Sequence, residues 1–535
     1  MRSLPPEKMA LARLALEDIR LGKALAAALR EHAWKDAPLH KSALVAVYQQ
    51  LVESGEWEPD EELLAAIRLK PVRTLSGVTT VTVLTKPYAC PGRCIFCPDD
   101  VRMPKSYLPD EPGAMRALEH QFDPYRQVRA RLDALSAVGH PTDKIELLIL
   151  GGTFSAYRRD YQEWFVTKCF EAMNADDGQK RRVRRRPETS PVPGLVELQR
   201  LNETALHRNV GLAVETRPDE ITPDELAWFR RLGVTKVQMG VQSLDDSILE
   251  LNQRGHTVAR AKQAVALLRA GGFKIVLHWM PNLLGATPAS DQADFPRLWQ
   301  GFCPDELKIY PTQLLENTPL YDLWKGGQYH PYSTSELIAL IADLKASIPR
   351  YCRVNRIIRD IPSTHVVEGN RRTSLRQDVQ AEMARRGTQC ECIRCREVRG
   401  RKVSPTALSR VDLIYHPAGV EEHFMSFVTA EDRLAGFLRL SLPGEDSPAT
   451  GLADLEGAAI IREVHVYGQS LAVGAEQEGA TQHGGLGTRL LAEAEDLARA
   501  KGYRRIAVIA AVGTRQYYLE RGFERGELYL IKNFP

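Results

Sequence analysis

Long apolar runs are missing from this chain. No stretch is apolar enough to span a bilayer, and residues 1–34, with Glu7, Lys8, Arg13, Glu17 and Asp18 among them, lack the uninterrupted apolar core of a secretory signal. A helical membrane protein is thereby excluded, and the cytoplasm is the expected location. Cysteine is scarce as well: six of the nine fall into two tight groups, Cys90/Cys94/Cys97 and Cys390/Cys392/Cys395. That distribution belongs to metal ligands in a reducing compartment and not to a disulfide framework. Neither sign of charge prevails overall, the net being +3, yet the charges are segregated. Residues 350–402 carry fourteen Lys or Arg against six Asp or Glu, whereas 410–535 carry thirteen against eighteen. A basic middle beside an acidic end predicts a directed surface, for which nucleic acid is the natural partner.

At 535 residues the chain exceeds one hydrophobic core, so three or more units are expected. Residues 1–75 show helical periodicity, with Leu11, Leu14, Ala15 and Ile19 on one stretch and Leu44, Val45, Tyr48 and Leu51 on another. They read as a helical domain that either packs on its neighbour or touches a nucleic-acid substrate. From 76 to 335 six strand-like runs (79–85, 144–150, 210–215, 236–241, 274–278 and 306–309) alternate with helical segments (112–138, 161–174, 224–232, 259–270 and 291–300). The expected fold class is therefore α/β, a partial (β/α)6 barrel whose chemistry sits on loops after the strand C-termini. Residues 336–408 read as a basic, metal-braced linker region, and 409–535 as an α+β domain. A run of six cations in 180–186 reads as a solvated loop or a flexible phosphate contact.

The spacing of Cys90, Cys94 and Cys97, directly after the first strand, is that of a 4Fe-4S cluster with one iron left without a protein ligand. At the next strand end Gly151, Gly152, Thr153 and Phe154 bring side-chain-free backbone to the barrel mouth. Glu215, Arg217, Gln242 and Ser243 put polar groups at the following strand ends. Cys390, Cys392 and Cys395 suit tetrahedral zinc but supply three ligands, with His365, His416 and Cys352 as open choices for the fourth. Arg353, Arg356, Arg359, Arg371, Arg372 and Arg376 concentrate guanidinium groups suited to phosphate, and form the expected nucleic-acid-binding face. Near the end, Gln482, Gly484, Gly485, Gly487 and Thr488 precede an amphipathic helix and follow a strand-like run containing Glu463, His465 and Val466. A glycine turn opening a helix points N–H groups at an anion such as a pyrophosphate.

The cysteine triad, with Phe96 beside it and the two glycines downstream, resembles the S-adenosylmethionine site of radical enzymes. The glycine turn and the segment 513–523 are similar to Gcn5-related acetyltransferases, which bind acetyl coenzyme A there. Together with 70–77, 107–125, Glu215 to Pro218 and Arg359 to Pro362, these motifs resemble the catalytic subunit of Elongator in its single-chain prokaryotic form. The resemblance implies a radical S-adenosylmethionine barrel joined to an acetyltransferase domain. It implies carboxymethylation of carbon 5 of the wobble uridine in tRNA anticodons, with a 4Fe-4S cluster, S-adenosylmethionine, acetyl coenzyme A, zinc and an external reductant. On it, Tyr517 or Tyr518 is the hydroxyl near the thioester sulfur, and Lys168, Lys308 and Tyr310 are candidates to meet the acetyl group or the uridine. The competing reading is a protein lysine acetyltransferase whose cluster domain is only a platform.

Overall fold

A computed structural model describes residues 4–71, 74, 76–175, 194–399, 401, 403–467 and 485–535. Seven parallel strands form the first sheet in sequence order: β1 (Thr79–Leu84), β2 (Lys144–Leu150), β3 (Arg208–Thr216), β4 (Lys236–Gln242), β5 (Lys274–Trp279), β6 (Glu306–Ile309) and β7 (Arg353–Arg356). Side chains alternate across each strand, so one parity faces the covering helices and the other the bore. In β2 the buried Ile145, Leu147 and Ile149 join the apolar layer beneath the helices Pro124–Ser136 and Arg159–Asn174, while Glu146, Leu148 and Leu150 line the inside. β4 repeats this, with Val237, Met239 and Val241 outside and Lys236, Gln238, Gly240 and Gln242 inside.

Six strands were expected, and β7 is the difference. It pairs with β6 through Glu306 opposite Arg353 and Leu307 opposite Val354. Of its four residues only Val354 is buried, so its sequence reads as a basic loop. The boundary expected at 335 therefore falls inside the barrel. Leu375, Val379 and Met383 of the helix Leu375–Arg385, with Cys392 and Ile393, share the same core, so 336–408 is part of the packed body and no linker.

The second sheet runs in the order β13 (Glu524–Arg525), β14 (Leu530–Asn533), β12 (Arg505–Val508), β11 (Ala458–Val466), β10 (Leu434–Pro443), β9 (Val420–Val428) and β8 (Ser409–Tyr415). Its pairs are antiparallel except β11 with β12, which run parallel from Ala458 opposite Arg505 to Ile461 opposite Val508. Beyond Ile461 the two strands part. This sheet packs on the N-terminal ends of the barrel strands: Arg462 pairs with Asp305 at 2.5 Å, and the Tyr529 hydroxyl donates to the Gly271 carbonyl at 2.6 Å. Four N-terminal helices (Pro6–Arg20, Leu25–Glu31, Lys41–Glu53 and Glu61–Ile67) enclose a separate small core of Ala12, Leu16, Leu44, Val45, Tyr48 and Leu51. Leu14, expected on the inner face, is exposed. Gln49 and Arg68 donate to the carbonyls of Ser136 and Gly139, which ties this unit to the barrel. Among the described residues no helix is long and apolar enough to cross a membrane. The basic run 180–186, with Gln482 and Gly484, lies outside the described residues.

Candidate active site

Directly after β1 the chain turns across the top of the barrel and sets Cys90, Cys94 and Cys97 on the wall of a cavity of about 990 Å³. The Cys94 sulfur accepts from Arg254 Nη1 at 3.0 Å. Its hydrogen bond with Cys97, aided by Arg254 and Arg217, draws the Cys94 thiol down to about 5, and the same bond together with burial pushes Cys97 up. Arg217 lies under the loop: a Cβ on Gly92 would stand 2.2 Å from its Nη1. Its other nitrogens bond Asp219 and the Arg254 carbonyl, while Nη1 is buried without a partner. Three thiols, two buried guanidiniums and an orphaned N–H aimed at them fit an anionic, thiolate-ligated group. The residues present therefore suit a 4Fe-4S cluster with one open iron.

Gly151 has φ +136° and Gly152 φ +91°, and a Cβ on Gly151 would lie 1.9 Å from Thr85 Oγ1, so only glycine fits. Gly152, Thr153 and Phe96 line the cavity beside the cysteines, with Thr153 Oγ1 3.6 Å from the Cys90 sulfur. Further around the mouth, Tyr107 donates to Glu215 at 2.7 Å, and Lys308 Nζ donates to Gln238 while standing 3.8 Å from Glu215. Tyr310 meets His278 edge to face, and burial, then Lys308 and Arg359, hold that imidazole well below its ordinary range and so neutral. Gln242, at φ +68°, keeps a buried oxygen without a partner. Two expected site residues stand elsewhere. Ser243 bonds Asp294 and caps its own loop, and Lys168 is paired with Glu171 at 2.6 Å on a helix surface outside the cavity.

The other end of the same cavity lies where β11 and β12 part, walled by Glu463, Val464, His465 and Tyr467 on one side and Ile509, Ala510 and Ala511 on the other. Burial alone would raise the Glu463 carboxyl, but Lys274 and Arg439 overcome it and keep the group ionised. Burial lowers His465 to about 4, and its Nε2 has no partner. Val466 pairs with Gly436 at the strand end and does not reach the cavity. Gly485, at φ +67°, opens the helix Leu486–Ala500, whose first turn carries Gly487 and Thr488. A Cβ on Gly487 would lie 2.7 Å from the Tyr517 hydroxyl, and Arg521 covers the Tyr517 ring at 3.7 Å. Tyr518 is the tyrosine on the cavity wall, and burial keeps it protonated.

The sulfurs of Cys390, Cys392 and Cys395 lie within 4.8 Å of one another, close to the roughly 3.8 Å separation of thiolates on one tetrahedral zinc. Among the described residues no fourth His, Cys, Asp or Glu joins them. His365 pairs with Asp110 at 2.5 Å and His416 with Glu421 at 3.6 Å. Of the six arginines expected to bind tRNA, three are consumed within the fold. Arg353 bonds Glu397 and the Tyr467 hydroxyl, Arg359 bonds Ser106 and Glu111, and Arg376 donates to the Val354 carbonyl. Arg371 and Arg372 remain exposed, and Arg356, half exposed, pairs with Asp360. Sequence reasoning missed Arg254, which the glycine at 255 brings back over Cys94. It also missed the ladder of Tyr88 on Tyr157 at 4.7 Å and Tyr157 on Tyr161 at 5.1 Å, because Tyr88 stands far in sequence from the other two.

Comparison with known proteins agrees with this division. The Radical SAM superfamily model matches residues 84–291, the Radical_SAM C-terminal domain 304–385, and the Acetyltransferase (GNAT) family 397–523. A tRNA uridine(34) acetyltransferase of Dehalococcoides mccartyi is 42% identical over 470 residues, covering 86% of this chain and 98% of the relative. Elongator complex protein 3 of Homo sapiens is 35% identical over 489 residues, covering 88% and 86%. The solved structure of the archaeal Methanocaldococcus infernus Elp3 lacking residues 1–46 is 36% identical, with a TM-score of 0.73 over 86% of this chain and all of that one.

Proposed function

Since the chain belongs to the family of tRNA uridine(34) acetyltransferases and Elongator complex protein 3, we propose that it carboxymethylates carbon 5 of the wobble uridine in tRNA, drawing the new carbons from acetyl coenzyme A. The observation that carries this reading is the single cavity lined at one end by Cys90, Cys94 and Cys97 and at the other by the parted strands β11 and β12.

The chemistry explains why both ends are needed. Carbon 5 of uridine is electron-rich, and an acetyl enolate is a nucleophile too, so a two-electron union of the pair is mismatched. Cys90, Cys94 and Cys97 would hold a 4Fe-4S cluster with S-adenosylmethionine on its open iron, which supplies one-electron chemistry when an external reductant feeds it. Arg254 and Arg217 favour the thiolate of Cys94, and Gly151 with Gly152 lets the methionine end approach the backbone. Burial holds His278 neutral, while Glu215, Lys308 and Gln238 form a polar rim that can orient a carbonyl or a base edge. Gly485, Gly487 and Thr488 would take the pyrophosphate of acetyl coenzyme A at the helix N-terminus, and Glu463 and His465 flank its thioester arm. Zinc on Cys390, Cys392 and Cys395 would brace the segment that carries Arg371 and Arg372, the cations best placed to meet tRNA phosphates. Exposed Tyr88, close to the cysteine loop, suits stacking by an unpaired anticodon base. The site of action is the cytoplasm, where uncharged and charged tRNA circulate.

Anaerobic reconstitution followed by mass analysis of tRNA nucleosides tests the reading. A 5-carboxymethyluridine that requires both cofactors and reductant is expected. Acetylated lysine in a peptide substrate, formed without reductant and without any new nucleoside, would favour the acetyltransferase-only alternative and overturn it.

A further inference from the structure

In a closed eight-stranded barrel the bore is filled by layers of branched apolar side chains. Here the inward parity supplies a polar lining instead. Lys236 Nζ bonds Glu146 and lies 3.3 Å from Glu306, and Lys274 Nζ stands 2.7 Å from Glu306 and 2.5 Å from Glu463. Asn355 closes the ring with a 2.6 Å bond to Glu306. Glu463 belongs to β11, so this collar joins the floor of the barrel to the acetyltransferase sheet. Gathering five charged side chains at a barrel floor, Glu306 buried and the other four half-buried, is a poor way to stabilise it, because desolvation offsets much of the attraction. All five border the one continuous cavity, which they line and do not fill.

The two chemical ends lie at opposite ends of the strands. The cysteines follow the C-terminus of β1, whereas the β11–β12 opening abuts the N-terminal ends of β5 and β6. The seven residues of β4 span the interval, roughly 20 Å at about 3.3 Å per residue. An extended pantetheine arm has comparable reach, and its amide and thioester groups need polar partners that an apolar bore would deny them. Building on the cofactor assignment above, we propose that the bore of the half-barrel is the internal passage by which the acetyl end of a thioester seated between β11 and β12 reaches the cysteine end, with Glu146, Lys236, Lys274, Glu306 and Glu463 as its collar.

The test plugs the passage away from both ends. Thr82→Trp on β1 and Gly211→Leu on β3 fill the bore from separate walls. Three readouts follow: calorimetric binding of acetyl coenzyme A to the protein as isolated, reductant-driven cleavage of S-adenosylmethionine without tRNA, and deuterium transfer from trideuteroacetyl coenzyme A into 5′-deoxyadenosine. The first two should match the parent protein while the third falls by about a hundredfold. Undiminished transfer in a plugged variant whose two ends both work would overturn the passage alone. A parent protein that binds no acetyl coenzyme A, or cleaves no S-adenosylmethionine, would remove the cofactor assignment and the passage with it. Should either plug fail to fold, the parent protein still decides: a short diazirine acyl thioester of coenzyme A, once photolysed, should label peptides of β4 and β6. Labelling confined to β11, β12 and outer surfaces would overturn the proposal.

Discussion

Single residues set the conditions for the chemistry, and their neighbours make the consequences calculable. Gly151→Ala would place a methyl 1.9 Å from Thr85 Oγ1 at φ +136°, so we expect a loss of about 1–3 kcal/mol in denaturant unfolding together with weakened binding of S-adenosylmethionine. His465 illustrates a pH effect of definite sign. Burial lowers its pKa from 6.5 to about 4, so between those values the unfolded chain takes up a proton that the folded protein refuses. Its contribution to stability is complete above pH 6.5 and is lost as pH falls toward 4. His465→Gln should flatten that limb of a stability profile, and an unchanged slope would show that His465 titrates freely. The cysteines and glycines were legible in the sequence because their spacing is itself the chemistry. Arg254, Lys236 and Lys274 were not, because an isolated cation at a strand start or helix end looks the same whether it is solvated or buried against a carboxylate.

At the level of elements, legibility followed hydrophobic alternation. β2 declares itself through Ile145, Leu147 and Ile149, and β4 and β5 do likewise. β7 could not, since three of its four side chains are polar and only Val354 is buried. Its arginines looked like phosphate ligands for the same reason. The two kinds of arginine separate cleanly by experiment. Arg353→Ala removes a guanidinium that holds Glu397 and Tyr467, and should cost about 3 kcal/mol of stability with no change in the salt dependence of tRNA binding. Reversing the exposed Arg371 and Arg372 to glutamate should leave stability nearly intact, weaken tRNA binding and lessen its logarithmic salt slope by about one for each phosphate no longer neutralised. A filter-binding titration across salt concentrations distinguishes them, and an unaltered slope in the reversed pair would remove that face from the interface.

For the whole molecule, what matters is that the acetyltransferase sheet closes the floor of the barrel. Asp305, fully buried, meets Arg462 at 2.5 Å, Arg439 at 3.4 Å and Arg269 at 3.9 Å. Burial alone would raise its carboxyl, but the three guanidiniums hold it far below the ordinary range. Asp305→Asn should therefore destabilise the junction of the two sheets by about 3–5 kcal/mol, seen as earlier and less cooperative thermal unfolding. The sequence could show two catalytic units in one chain but not their apposition, which depends on pairs such as Lys274 with Glu463 that are 189 positions apart. One measurement bears on that apposition most directly. With acetyl coenzyme A carrying carbon-13 and three deuterons on the methyl group, the wobble uridine isolated after turnover should carry the labelled carbon and two of the three deuterons. Unlabelled modified uridine, or labelled uridine with all three deuterons retained, would contradict a shared reaction at the two ends of the cavity.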